Sequence, residues 1–219
     1  SRALVIGDNL KQEEAWNVGL NLTQYFSLGP RQLTANLDVY RTSFVNQVIV
    51  DLDTDVNKVM FYNLDGESFA NNYQIELSYE IIRGLDTRAA FRYSDVQYTL
   101  NTELVEKPLI SKYKGLITTS YSTPLNKWQF DLTAQFNGPG RIPSTASNPV
   151  EYQFEETFDP YTIIHAQVTK NFKTWSLYMG AENLTDFTQS HPILAADQPF
   201  GEYFDGSLIW GPLHGRKIY

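Results

Sequence analysis

Apolar and polar residues alternate with a period of two along most of this chain, and helical periodicity is nearly absent. That period belongs to strands with two unlike faces. The clearest segment sets Tyr73, Ile75, Leu77, Tyr79 and Ile81 against Gln74, Glu76, Ser78 and Glu80. Trp128, Phe130, Leu132, Ala134 and Phe136 alternate as cleanly with Gln129, Asp131, Thr133, Gln135 and Asn137. The same pattern runs through Trp16–Leu22, Leu33–Val39, Ala89–Tyr93, Ile164–Val168 and Trp175–Ala181. It is weaker over Lys114–Thr123, where Ile117, Thr119 and Tyr121 are expected to share a face. A ninth strand is expected to begin near Arg216 and to be truncated at Tyr219.

The connections between these segments alternate between short and long. Short ones fall at Ser27–Gln32, Arg83–Asp86, Pro124–Lys127 and Lys173–Thr174. Long ones fall roughly at Asp51–Asn71, Asn101–Tyr113, Gly138–Asp159 and Thr185–Gly215. None of the 10 prolines lies inside an alternating segment, as must hold if the strands form complete hydrogen-bond ladders. Gly29, Pro30, Gly84, Pro124 and Asn126 supply turn chemistry in the short set.

A soluble β-sandwich would bury the apolar faces inside; a membrane barrel turns them outward to lipid and keeps the polar faces around a wet lumen. Three features favour the barrel. The segments approach the ~9–11 residues that cross a bilayer on a tilt, against about 5–6 for an ordinary strand. Trp16, Trp128 and Trp175 sit at the ends of apolar faces, as in the aromatic girdles of membrane barrels. Short turns at one rim and long loops at the other match the same architecture. The expected fold is therefore all-β: an antiparallel transmembrane β-barrel segment of about nine strands, with the first strand running inward. Bacterial barrels close with an even number of strands, and an open edge leaves amides unpaired in lipid. Residues 1–219 are thus expected to be the C-terminal part of a larger barrel. The chain starts at Ser1 without Met and without a charged-then-apolar stretch, so a processed or truncated sequence is expected.

Composition excludes several alternatives. Lys and Arg number 17 and Asp and Glu 25, a net charge of −8, so a nucleic-acid partner is not expected. Aromatics at 14% argue against disorder. With no cysteine there is no disulfide, thiol catalysis or thiolate metal site. No apolar run is long enough for a transmembrane helix.

Certain stretches resemble the TonB-dependent outer-membrane receptors. Gly180-Ala-Glu-Asn-Leu-Thr-Asp186 resembles the segment that closes their penultimate strand, and Gly211-Pro-Leu-His-Gly-Arg-Lys-Ile-Tyr219 resembles the opening of their last strand. Gly138-Pro-Gly-Arg-Ile-Pro143 and Val56–Gly66 resemble a branch of the same plug-and-barrel receptors. The resemblance implies a barrel of about 22 strands around an N-terminal plug, located in the outer membrane of a Gram-negative cell. It implies energy-coupled import of a scarce ligand: siderophore, cobalamin, glycan or peptide. The implied partners are outer-membrane lipid, the rest of the barrel and its plug, and TonB acting through an N-terminal part; a surface lipoprotein is a further candidate. This stretch carries no plug and no energy-coupling box, and its final strand lacks the family's terminal aromatic signal. A passive porin or a structural or assembly barrel is the alternative function.

No catalytic motif stands out, and neither enzyme activity nor a cofactor is expected. Asp51, Asp53 and Asp55 are spaced like the start of a calcium loop, but Val56 and Tyr62 stand where an EF-hand needs Gly and Glu. His165, His191 and His214 lack zinc spacing, G-x-S-x-G is absent, and adjacent Glu155 and Glu156 would point apart on an extended chain. The ligand-contact candidates fall in two groups. Glu76, Glu80, Arg88, Arg92, Asp131 and Glu182 are expected to line the lumen, as ion pairs of the wall or plug or as ligand contacts, with Arg88, Arg92, Asp131 and Glu182 the chosen candidates. On the external loops Tyr152, Phe187, Tyr203, Trp210 and His214 are the candidates, among aromatics that include Phe154, Phe158, Phe200 and Phe204; packing of loop on loop is the competing role.

Overall fold

A computed structural model describes residues 2–219. Nine strands form one antiparallel meander in chain order: β2 (Ala15–Leu28), β3 (Arg31–Phe44), β6 (Ser68–Ile82), β7 (Leu85–Leu100), β9 (Tyr113–Ser122), β10 (Trp128–Asn137), β13 (Tyr161–Asn171), β14 (Ser176–Glu182) and β15 (Lys217–Ile218). The remaining strands belong to the long loops. There β1 (Ala3–Ile6), β5 (Lys58–Asn63) and β4 (Val48–Asp51) make a small sheet, β8 (Glu103–Glu106) extends β7, and β11 (Gly140–Arg141) pairs with β12 (Thr157–Phe158).

Several wall strands outrun the alternation that announces them. β2 continues past Leu22 to Leu28 although Gln24 falls on its apolar face, because β3 pairs with it over the whole length. Backbone ladders do not require the side-chain pattern to persist. Short turns at residues 29–30 and 83–84 join β2 to β3 and β6 to β7. Gly84 is needed in its turn: its φ is +83°, and a Cβ there would come within 2.5 Å of the Ser122 carbonyl oxygen.

Register places the two faces. Val39, Tyr73, Tyr93 and Tyr113 stand in one paired row across β3, β6, β7 and β9. Leu85, Tyr121, Phe130, Val168 and Met179 form another across β7, β9, β10, β13 and β14. On β9, Tyr113 and Tyr121 lie eight residues apart, about 26 Å along a strand, or ~20 Å along the membrane normal at a tilt near 40°. Between the rows the outward residues are almost all apolar, with Leu77, Ala89 and Ile117 at mid-height. Above the upper row the same face turns polar: Arg41 donates to Asn71 (3.0 Å), which donates to Asp95 (3.2 Å). Below the lower row the Lys170 ammonium sits 4.2 Å over the Trp128 ring, an arrangement suited to the lipid–water interface.

No second sheet covers the apolar face. Leu77 is 39% exposed, Phe130 42% and Leu177 61%, so the soluble sandwich is excluded and hydrocarbon is the solvent this face requires. The buried apolar side chains among the described residues are Ile49, Tyr98, Ile142, Pro143, Phe158, Leu194 and Leu208. All but Tyr98, which caps the loop end of β7, are in the long loops. The compact core therefore lies at the long-loop rim, beyond the membrane. β2 is exposed along its entire length, while β15 pairs with Ala181 and Glu182 of β14 and the ladder runs on through two backbone hydrogen bonds of 3.0 Å between Gly180 and Tyr219.

Candidate functional site

The long loops are tied together over the polar face. Asp53, in the loop between β4 and β5, accepts two hydrogen bonds from the Arg141 guanidinium at 2.7 and 2.9 Å. It also accepts from the Ser144 amide (2.8 Å) and the Tyr98 hydroxyl (3.2 Å). Tyr98 pairs with Ser68 on the lumen side of the wall, so this knot holds residues 45–67 and 138–160 above the lumen mouth. Arg2 adds a second tie, with Nε 2.8 Å from Asp205 and Nη1 2.7 Å from the Leu52 carbonyl oxygen.

Asp51 anchors the loop sheet from inside. Its carboxylate accepts from the amides of Asp53 and Thr54 and from the hydroxyls of Thr54 and Tyr62. Burial alone would raise its pKa; the four donors outweigh burial and hold it below the ordinary value. The Tyr62 hydroxyl is correspondingly pushed up by burial and by the adjacent carboxylate. Asp55 pairs with Lys58 (2.7 Å), which lowers its pKa. Each carboxylate of the Asp51–Asp53–Asp55 run thus has its own partner, and no group of three His, Asp or Glu among the described residues could hold a metal ion. The calcium-loop spacing serves loop architecture instead.

The last long loop is clasped by the segment that opens it. Asn183, with φ +52°, donates from Nδ2 to the carbonyls of Phe187 (2.7 Å) and His214 (3.2 Å). Its Oδ1 accepts from the Phe187 amide (3.1 Å) and the Thr185 hydroxyl (3.0 Å). Asp186 then receives the Arg216 amide at 2.7 Å, so both ends of residues 183–216 meet at one point. Gln189 holds the loop's middle, donating to the Leu208 carbonyl and accepting from the Trp210 and Gly211 amides.

A cavity of about 790 Å³ lies between residues 138–160 and 183–216. Of the loop candidates, Tyr152, Phe187 and Trp210 line it together with Phe154 and Phe158. Phe158 stacks on Trp210 at 4.7 Å, Phe187 on Tyr161 at 4.6 Å and Tyr152 on Tyr203 at 5.0 Å. The rings therefore pack loop on loop and also form the cavity wall. Tyr203 supports Tyr152 without reaching the cavity, and Phe200 is fully exposed. His214 is brought to the clasp through its backbone carbonyl, with its side chain exposed outside the cavity.

The lumen candidates separate by partner. Arg88 is 2.7 Å from Glu76, and Glu80 is 3.2 Å from Arg31 at the short-turn rim. Asp131 accepts from Ser120 (2.6 Å) and Gln129 (2.9 Å). Glu182 faces Lys217 across β14 and β15. Arg92 has no partner among the described residues and lines a lumen cavity of about 370 Å³ with Asp38, Tyr40, Asn72 and Gln74. Sequence reasoning missed Tyr98, Arg141, Asp53 as an ion-pair partner, Asn183 as a clasp and Gln189. Asn183 and Arg141 each sit in a segment that the sequence marks out, and Asp53 in the spaced aspartate run, but their partners, like those of Tyr98 and Gln189, are set by contacts that no local pattern announces.

A family model described as TonB dependent receptor-like, beta-barrel, matches residues 2–184. No curated protein matches the chain. Among solved structures, the copper transporter OprC superposes with a TM-score of 0.70 at 16% identity, covering 96% of this chain and 31% of that one. The FrpB iron transporter from Neisseria meningitidis gives 0.61 at 11% identity, covering 99% and 32%. The ferripyoverdine receptor of the Pseudomonas aeruginosa outer membrane, bound to ferripyoverdine, gives 0.59 at 16% identity, covering 82% and 24%. At such identities the likeness concerns the fold. The chain spans about a quarter to a third of the length of these proteins.

Proposed function

The chain belongs to the TonB-dependent receptor β-barrel family of the outer membrane, and we propose that it forms the C-terminal part of the barrel of a receptor that imports a scarce ligand by energy-coupled transport. The observation that carries this reading is the open edge. β2 offers an unpaired ladder along its whole length, and over the part below Leu20 that would lie in hydrocarbon each unsatisfied amide costs several kcal/mol. Further strands of a larger barrel satisfy it. On this reading the short turns face the periplasm and the knotted loops face outward, where Tyr152, Phe187 and Trp210 meet the ligand.

The lumen then encloses a plug contributed by residues outside this stretch. Arg92, uncompensated on the wall, is offered to a plug carboxylate; Arg88 is already satisfied by Glu76. The transported molecule belongs to the siderophore, cobalamin, glycan or peptide class, and the chain acts as transporter wall with no enzymatic role.

The test is uptake by the intact receptor. Its gene should encode an N-terminal plug, and uptake of its ligand should stop when TonB is deleted from the host. A gene without a plug, or uptake that persists without TonB, would mark a passive pore and overturn the proposal.

A further inference from the structure

We propose that the external cavity is built for an organic cation: a positively charged, ring-bearing or partly apolar molecule rather than an anionic chelate. The inference rests on the reading of this rim as the receptor's ligand entrance and adds the charge class. Trp210 and Phe187 both line the cavity and are only half-buried, so ring surface remains for a ligand. Its volume of about 790 Å³ falls within the ~300–1,000 Å³ usual for small-molecule sites.

Apart from His191, the ionisable groups of the wall are all acidic. Glu151, Glu155, Asp159 and Asp197, each exposed to solvent, line the cavity, and among the described residues no Lys or Arg does. None of these four side chains has a hydrogen bond or ion pair with another described residue; by contrast Asp53 and Asp205, in the neighbouring loop knots, are each neutralised by an arginine. An anion entering here meets repulsion from several uncompensated carboxylates, whereas a cation meets both carboxylates and aromatic faces. The carboxylates are spread around the wall, and no three of them with or without His could hold one metal ion. A field of that shape suits a large, charge-diffuse cation better than a bare metal ion.

Paired xanthene dyes provide the probe, rhodamine 6G as cation and fluorescein as anion, titrated into the purified full-length receptor by fluorescence anisotropy. The cation should bind about tenfold or more tighter than the anion at ~20 mM salt, and the gap should shrink at ~500 mM, where the Debye length falls to a few ångströms. The variant Glu151→Gln, Glu155→Gln, Asp159→Asn, Asp197→Asn should lose most of that preference while keeping the heat-modifiable mobility of a folded barrel. Fluorescein binding as tightly as rhodamine 6G, or a folded variant with unchanged preference, overturns the inference. Should the variant fail to fold, the dye pair and its salt dependence on the unaltered receptor decide alone. These outcomes are separate from TonB dependence of uptake, so the charge class can fail while the receptor reading stands.

Discussion

Asp53 and Arg141 lie 88 residues apart and form a two-point ion pair with Nη–Oδ distances of 2.7 and 2.9 Å, the carboxylate almost fully buried. The pair joins two external loops that share no ladder hydrogen bonds, and the Tyr98 hydroxyl fixes the junction to the top of β7.

Removing one partner of such a pair strands the other without water or counter-charge. Arg141→Ala should therefore weaken local closure of residues 45–67 and 138–160 by about 2–3 kcal/mol. Arg141→Lys should recover less than half of it, since an ammonium cannot make the parallel two-point contact. Hydrogen exchange of the two loops in the intact receptor checks this; protection equal to wild type in Arg141→Ala would show that the knot is not what holds them.

Asn183 satisfies backbone groups at both ends of the last loop while holding φ +52°. Asn183→Gly keeps the backbone conformation and loses only the side-chain bonds; Asn183→Ala loses both. The expected costs are about 1–2 kcal/mol for glycine and ~1 kcal/mol more for alanine. Exchange rates over residues 183–216 measure the difference, and equal effects of the two variants would remove the backbone part of the explanation.

Ile117 faces outward at mid-height and Thr133 faces the lumen. Ile117→Arg should cost ~2–4 kcal/mol in lipid, against less than about 1 kcal/mol for Thr133→Arg. Reversible unfolding of the receptor in lipid vesicles gives both numbers. A larger penalty at Thr133 would reverse the assignment of the two faces.

The acid dependence of the loop sheet follows from Asp51, whose folded pKa lies below its ordinary value of 3.8. A depressed carboxyl pKa contributes stability that is fully present above the unfolded value and is lost as pH falls through the folded one. Residues 48–63 should thus stay protected at neutral and mildly acidic pH and loosen only below about 3.8. Asp51→Asn should loosen them at neutral pH by about 1–2 kcal/mol and abolish the acid step. Limited proteolysis across pH distinguishes these outcomes; wild-type loosening between neutral pH and the Asp value would point to another group.

The sequence by itself determined the wall. Period-two alternation placed Leu77, Phe130 and Leu177 on one face and Glu76, Asp131 and Arg88 on the other, and turn chemistry with proline exclusion marked off the nine wall strands. Such local patterns suffice because side-chain direction in a strand depends only on position parity. Strand lengths were less legible: β2, β6 and β7 continue because their neighbours supply ladder partners, which side-chain chemistry does not encode. Tertiary structure alone decided the rim. That Asp53 meets Arg141, that Arg2 meets Asp205 and that Tyr152, Phe187 and Trp210 share one cavity depends on loops meeting across the lumen mouth. Irregular backbone has no fixed period from which to read a partner, so the spacing of the three aspartates gave no sign that folding distributes them among an amide nest, an arginine and a lysine.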